Sequence, residues 1–332
     1  MRKINNTPAF QKKVNEFYDT VFDDRDRKFK KPAVRLTKLL SPSKVYTDIT
    51  RAQKEGYINL LLANLDKIMR VQPNFIAPWK ILFDQQLPSK NMTQPFAEAI
   101  QWALCYEDMR EIEFPKLYQG LEIKTCVYCH SQLTVVLDKE FYKISRPPHQ
   151  AGDVKLRIAR LELDHSVSKD KHPFLSASFY NLYPVCANCN KAKSNNGSHF
   201  SLYADGGELD VFVFGLDSSS VLNYWTSRNI KDIKISFRHV TDDLAQRRLY
   251  NNMFDIHELY QTQLDIVEEL IHKKEVYTKL YRDALNEQFE DLFPDKALIK
   301  RLIIGNYDKA DEVHKRPMAK FMQDIARDLK LI

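Results

Sequence analysis

Two C-x-x-C pairs constrain this 332-residue chain more than any other feature of its sequence. The pairs are Cys126 with Cys129 and Cys186 with Cys189, and Cys186 lies 57 positions after Cys129. Each C-x-x-C turn presents two sulfurs on one side, so two turns can supply the four thiolates of a closed structural zinc site. A redox role or coincidence is the alternative. The fifth cysteine, Cys105, lies in the apolar stretch AIQWALCY and is expected in the core.

The pattern of apolar residues divides the chain into three regions. Residues 1–120 carry apolar residues at three- and four-residue steps, such as Tyr57, Leu61 and Ile68, which predicts helices. Residues 121–208 contain the β-branched or alternating runs TVVL and VKLRIARLELD, separated by the turn-forming RPPHQAGD, and end in CANCNKAKS. These runs predict strands, and CANCNKAKS predicts a cysteine turn that leads into a short basic helix.

Residues 209–332 are expected to begin with two strands, over 209–215 and 230–240, and to continue as helices. Thr241 with Asp242 is the predicted N-cap of the first of these helices. An apolar stripe at helical spacing follows and is predicted to face the core. Its members are Leu249, Met253, Ile256, Tyr260, Leu264, Val267 and Ile271.

The charge of the chain is concentrated at its start. The first fifty residues hold twelve Lys and Arg against six acidic residues, and the whole chain has a formal net charge of +6. A cationic region suits a polyanion such as nucleic acid, and a solvated helix face explains it almost as well. The most apolar stretch, residues 58–65, is too short to cross a bilayer, so we expect a cytoplasmic protein with no membrane partner.

The residues best suited to catalysis or metal binding lie in the segment LELDHSVSKDKHPFLSASFYNLYPVCANCNKAKSN. Asp164 and His165 end a predicted strand, Asn181 precedes the second cysteine pair, and Asn190 follows its last cysteine. Taken singly, these are ordinary surface, turn or cap residues. Their order and spacing relative to both cysteine pairs resemble the HNH, or ββα-metal, nuclease family, with Asn190 where the family name implies histidine.

The resemblance covers about a quarter of the chain. It implies an α+β fold in which a central ββα-metal module with structural zinc is flanked by mainly helical regions. It also implies that Asp164 and Asn190 hold a catalytic Mg²⁺ or Mn²⁺ ion, that His165 is the general base, and that Asn181 braces the loop that orients His165. The zinc ligands would be Cys126, Cys129, Cys186 and Cys189.

Physical chemistry supports the same roles. Hydrolysis of a phosphodiester needs a base for the attacking water and a cation for the developing charge. Carboxylate and amide oxygens suit a hard divalent ion, which fits Asp164 and Asn190. A histidine with an ordinary pKa near 6.5 is largely neutral at physiological pH, so it can accept a proton. We expect His165 to lie at the strand surface and to add little to packing.

Four lysines surround the motif and are candidates for phosphate contacts, with solvated charges as the alternative. They are Lys169, Lys171, Lys191 and Lys193. The predicted function is metal-dependent hydrolysis of nucleic acid, with DNA as the expected substrate. A zinc-stabilised nucleic-acid-binding or scaffold subunit without activity is the alternative. The stretch NLYPVCANCNKAK is also similar to HNH effectors of bacterial anti-phage systems of the Septu or retron-associated type, which implies an ATPase or retron partner.

Overall fold

The computed structural model describes residues 1–22, 32–194, 196, 200–288 and 296–332. Across these residues the chain is of mixed α and β class, as the sequence predicts. Residues 23–31, which carry five of the twelve N-terminal cations, lie outside the described part.

The α-helices of the described residues are α1 (Pro8–Val21), α2 (Pro32–Leu39), α3 (Arg51–Ala63), α4 (Leu65–Met69), α5 (Ile76–Gln86), α6 (Gln94–Ala103), α7 (Tyr106–Asp108), α8 (Phe114–Gly120), α9 (Ala187–Lys193), α10 (Ser218–Ser227), α11 (Leu244–Phe254), α12 (Ile256–Gln261), α13 (Leu264–Val276), α14 (Lys279–Gln288), α15 (Lys296–Ile304) and α16 (Ala319–Asp328). A π-helical turn, Met109–Glu113, joins α7 to α8. The strands are β1 (Ile4–Asn5), β2 (Val135–Phe141), β3 (Val154–Arg160), β4 (Glu162–His165), β5 (Leu182–Val185), β6 (Tyr203–Ala204), β7 (Phe212–Leu216) and β8 (Ile235–His239).

The strands of the described residues form four two-stranded sheets. Strand β1 pairs in parallel with β6, whereas β2 with β3, β4 with β5 and β7 with β8 are antiparallel. In the β4–β5 pair, Glu162 lies opposite Val185 and His165 lies opposite Leu182. Helix α9 follows β5 after Cys186, so β5 and α9 both lie close to the end of β4.

The N-terminal helices form where the apolar periodicity predicts them. The Thr7 hydroxyl caps α1 by accepting a hydrogen bond from the Phe10 amide at 3.2 Å, and Pro8 occupies the first helical turn. Thr50 and Gln53 form a reciprocal capping box at the start of α3. The buried side chains Tyr57 and Leu61 then face the core from α3.

The C-terminal apolar stripe departs from the prediction in two respects. The cap is Asp243, which accepts from the Gln246 amide at 2.9 Å, whereas Asp242 has a φ of 56° and lies before the helix. The stripe also runs over three helices, α11, α12 and α13, and Asp255, with a φ of 48°, separates the first two. Leu249 is 57% exposed and does not belong to the core.

The three regions share a single hydrophobic core. Tyr18 of α1 illustrates the sharing: its hydroxyl donates to the Ala177 carbonyl and accepts from the Phe179 amide, both at 2.8 Å. Tyr118 of α8 donates to the Leu182 carbonyl of β5 at 2.9 Å. Helices on the N-terminal side therefore hold the backbone of the segment that leads into β5.

Candidate active site and cysteine cluster

The four paired cysteines come together although they are distant in sequence. Cys126 and Cys129 lie in the loop before β2, while Cys186 caps α9 and Cys189 lies within its first turn. Their Sγ atoms all lie within 4.8 Å of one another. Cys186 is half-buried and the other three are buried. Four thiolates at this spacing could hold a metal ion such as zinc.

The C-terminal helices support the first cysteine turn through its backbone. Tyr250 of α11 donates to the Tyr128 carbonyl at 2.6 Å, and Tyr260 of α12 donates to the Cys129 carbonyl at 2.8 Å. The Ser131 hydroxyl donates to the Cys129 sulfur at 3.2 Å. The cluster is therefore fixed by surrounding helices as well as by its own turns.

Asp164, near the end of β4, is a buried carboxylate with two side-chain partners. The Tyr128 hydroxyl donates to its Oδ2 at 2.6 Å, and the Lys193 ammonium lies 3.0 Å from its Oδ1. Lys193 also donates to the His165 carbonyl at 3.2 Å. Burial raises the pKa of the Asp164 carboxyl, against the opposite effects of Tyr128 and Lys193. Lys193 is itself buried and its ammonium is bound to Asp164 and to the His165 carbonyl, so its phosphate contact stays a prediction.

His165 is buried, which corrects the expectation of a surface position. It is 8% exposed, and its ring packs against Tyr106 with centroids 5.0 Å apart. Its Nε2 lies 3.0 Å from the Ser176 carbonyl oxygen, which can only accept. Nε2 therefore carries the proton, and Nδ1 is left as the basic nitrogen. Burial lowers the pKa of His165 to about 4, so the ring is neutral at pH 7.

Asn181 is fully buried and holds both ends of the loop that follows β4. Its Oδ1 accepts from the Val167 amide at 2.7 Å, and its Nδ2 donates to the Val167 and Leu175 carbonyls at 3.0 and 3.1 Å. Because Ser176, the partner of His165, follows Leu175 directly, Asn181 fixes the segment that orients the histidine.

Asn190, on α9, is held by an acidic side chain of β4. Its Nδ2 donates to Glu162 Oε2 at 2.6 Å. This bond orients the amide and leaves its Oδ1 available as an acceptor.

A cleft of about 430 Å³, here called the basic cleft, gathers Asp164, His165 and Asn190. Five cationic side chains line it against two acidic ones. The cations are Lys80, Arg110, Lys169, Lys171 and Lys193, and the acids are Asp164 and Asp170. Lys191, on the same helix as Lys193, is exposed and is not among the lining residues. The excess of positive charge suits a phosphate backbone.

The donor set of the basic cleft fits a hard divalent ion. A carboxylate offers about four lone-pair positions, and the side-chain contacts of Asp164 use two of them. Asn190 adds an amide oxygen from α9 on the same cleft. Oxygen ligands of this kind suit Mg²⁺ or Mn²⁺.

Several residues of the basic cleft were not predicted from the sequence. Arg110 comes from the π-helical turn, Lys80 from α5 and His172 from the loop after β4. Tyr128, which lies between the first two cysteines and bonds to Asp164 from outside the lining of the cleft, was also not predicted. No local pattern connects Arg110 or Lys80 with β4, because their approach depends on how the helices pack.

Comparisons of the chain with protein-family models, curated proteins and solved structures find no match. Among the helices of the described residues, none combines the length and apolarity needed to span a bilayer.

Proposed function

We propose that this chain is a metal-dependent endonuclease of the HNH type that hydrolyses phosphodiester bonds of DNA. The observation that supports the proposal is the meeting of Asp164, His165 and Asn190 in one cleft with five lining cations. The resemblance of the motif region to HNH effectors extends the proposal to a role in anti-phage defence beside an ATPase or retron partner. In this proposal the four cysteines hold a structural zinc ion that takes no part in bond cleavage.

Each side chain has a defined task in the proposed reaction. The basic nitrogen of His165, Nδ1, takes a proton from a water molecule as the water oxygen attacks phosphorus and the bond to the leaving oxygen breaks. Asn181 and the Ser176 carbonyl keep the histidine in its reactive tautomer and orientation. Four cations of the basic cleft, Lys80, Arg110, Lys169 and Lys171, position the backbone phosphates.

Asp164 and Asn190 would hold the divalent ion of the proposed site. Such an ion, when bound, neutralises charge that develops on the phosphate oxygens. The hydrogen bond that Asn190 donates to Glu162 keeps its amide in one orientation. The low pKa of His165 keeps it neutral next to a positively charged site, so that it can still accept a proton.

A substitution of His165 tests the proposal. Glutamine places an amide nitrogen where it can still donate to the Ser176 carbonyl, but it cannot take up a proton. We expect His165→Gln to lower cleavage of plasmid DNA in Mg²⁺ by about 10²–10⁴-fold, the usual contribution of a general base. Zinc content and melting temperature should stay close to those of the parent protein.

Two controls accompany this measurement. His149→Asn removes a histidine that stacks on Tyr142, outside the basic cleft, and should cut like the parent. Asn190→Ala should lose activity that added Mn²⁺ partly restores, whereas His165→Gln should resist such rescue. A parent protein that cuts none of plasmid DNA, single-stranded DNA and RNA with Mg²⁺ or Mn²⁺ would contradict the nuclease function and favour the alternative of a zinc-stabilised binding or scaffold subunit.

A further inference from the structure

A second pocket lies beside the basic cleft and differs from it in character. This side pocket has a volume of about 440 Å³ and is lined in part by Arg35, Glu98, Gln101, Trp102, Tyr106 and Lys169. Lys169 also lines the basic cleft, so the two spaces meet at its side chain. Tyr106 lies between them. One neighbour of its ring is His165, and the Lys169 ammonium lies over the ring, 5.9 Å from the ring centroid.

The side pocket presents an aromatic surface to solvent. Trp102 is 49% exposed, although tryptophan usually buries most of its area. The Arg35 guanidinium lies 5.1 Å from the Trp102 ring centroid and donates to the Trp102 carbonyl at 2.8 Å. The guanidinium therefore packs over the ring while about half of the tryptophan surface stays open, which is the arrangement of a stacking platform.

The loop that follows β4 is tied to this platform. Gln101 donates to the Lys169 carbonyl at 3.2 Å, and the Lys169 ammonium donates to the Gln101 side chain at 3.0 Å. These two bonds connect the loop that ends at Ser176, the partner of His165, with the helix that carries Trp102. The distance between the reacting group and the aromatic surface is thereby fixed.

The charges of the two spaces are opposite in balance. Cations outnumber acids in the basic cleft, whereas three carboxylates face two cations in the side pocket. The carboxylates are Glu98, Glu107 and Asp108. Asp108 is paired with Arg35 at 3.3 Å and Glu107 with Arg110 at 2.9 Å, so the side pocket has no excess of positive charge to attract a phosphate. Carboxylate oxygens instead match the N–H groups at the edge of a nucleobase. The side pocket therefore suits a flat, uncharged ring that carries hydrogen-bond donors.

We propose that the side pocket binds one unpaired nucleobase of the substrate strand, stacked on Trp102, while the adjoining phosphate lies in the basic cleft. This inference rests on the proposed nuclease function and names its substrate: a single strand, or a duplex position where one base is unpaired. A base inside a duplex must leave its stack and its pairing partner before it can reach such a pocket, which costs free energy that a single strand does not lose. Intact duplexes are accordingly poorer substrates than single strands of the same sequence.

A series of labelled single-stranded DNA oligonucleotides, each with one abasic site at a different position, tests the proposal. In the parent protein, an abasic site at one position relative to the cut should lower kcat/KM by about tenfold or more, because stacking on an aromatic side chain is typically worth this much. Trp102→Ala should lose a similar factor on the intact strand and become insensitive to that abasic position. Trp102→Phe keeps an aromatic face and should restore the sensitivity.

Trp225 supplies a matched control, since Arg228 lies 4.4 Å from its ring centroid and it lines neither the basic cleft nor the side pocket. Trp225→Ala should keep the abasic profile of the parent. Identical profiles in the parent and in Trp102→Ala, with both proteins folded, would overturn the proposal while leaving the nuclease in place.

Binding separates this inference from the proposed function. In His165→Gln, the intact oligonucleotide should quench tryptophan fluorescence, the abasic one should quench it less, and Trp102→Phe should abolish the difference. If the protein cuts no substrate but shows this base-dependent quenching, the result contradicts the nuclease function and supports nucleobase binding in the side pocket. Equal quenching by both oligonucleotides would overturn the proposal that a nucleobase binds in the side pocket.

Discussion

Asp164 and Lys193 form a buried ion pair whose energetics depend on both partners. Their side chains are 7% and 3% exposed, with Nζ 3.0 Å from Oδ1. Two charges removed from water are compensated by their mutual attraction and by the bonds from Tyr128 and to the His165 carbonyl. Loss of one partner leaves the other buried and unpaired, so the pair couples the stability of α9 to that of β4.

Lys193→Met tests this coupling. Methionine keeps much of the side-chain volume but removes the charge, and we expect a loss of about 3–5 kcal/mol in the free energy of unfolding. The matched control is Lys191→Met, two residues earlier on the same helix and exposed, which should change stability by no more than about 0.5 kcal/mol. Urea unfolding of both variants measures the difference. Equal stabilities for the two variants would mean that the pair adds nothing to the fold.

Helix α9 has seven residues, too few to be stable alone, and its position depends on its ends. Its N-cap is Cys186, and its last residue is Lys193, which bonds to β4. Asn190 lies between these anchors and faces the basic cleft. A metal ion on the cysteines would therefore hold the same helix that presents Asn190 and Lys193.

Cys186→Ser is expected to remove the metal and to loosen this helix. We predict about one zinc per chain in the parent protein and little in the variant, together with a lower melting temperature, because a structural zinc site contributes folding free energy. Cys105→Ser is the control, since this buried cysteine lies outside the cluster and should leave the zinc content unchanged. Elemental analysis after dialysis without chelator measures both. A folded parent protein free of zinc would contradict the assignment.

The elements that the sequence predicts well are those with local patterns. Strand β3 and helix α9 lie within the runs that alternation and the cysteine spacing indicate, and β2 begins in the run TVVL and continues to Phe141. The stripe from Leu249 to Ile271 is divided among three helices, which apolar spacing alone does not reveal, because it does not register a residue with a positive φ such as Asp255. The π-helical turn that brings Arg110 to the basic cleft has no sequence signature of this kind.

At the scale of the whole molecule, the candidate site depends on contacts between distant segments. The cysteines, Asp164, His165 and Asn190 were identified from one stretch of sequence, whereas Lys80, Arg110 and the side pocket come from the N-terminal helices. Tertiary packing decides which helix faces reach a cleft, and a single sequence carries little information about such long-range choices. The chemistry of the site was therefore predictable in part, and its surroundings were not.

The shared core also predicts how a fragment should behave. A fragment of residues 121–208 contains all four cysteines of the cluster, but it lacks Tyr18, Tyr250 and Tyr260, which bond to its backbone in the full chain. It would expose aromatic side chains such as Phe179 and Tyr203, which are now buried against α1. We therefore expect this fragment, even with zinc, to lack the cooperative thermal unfolding of the full chain. Calorimetry of the two proteins at equal zinc content measures the difference, and a cooperative transition in the fragment would show that the central region folds without its flanking helices.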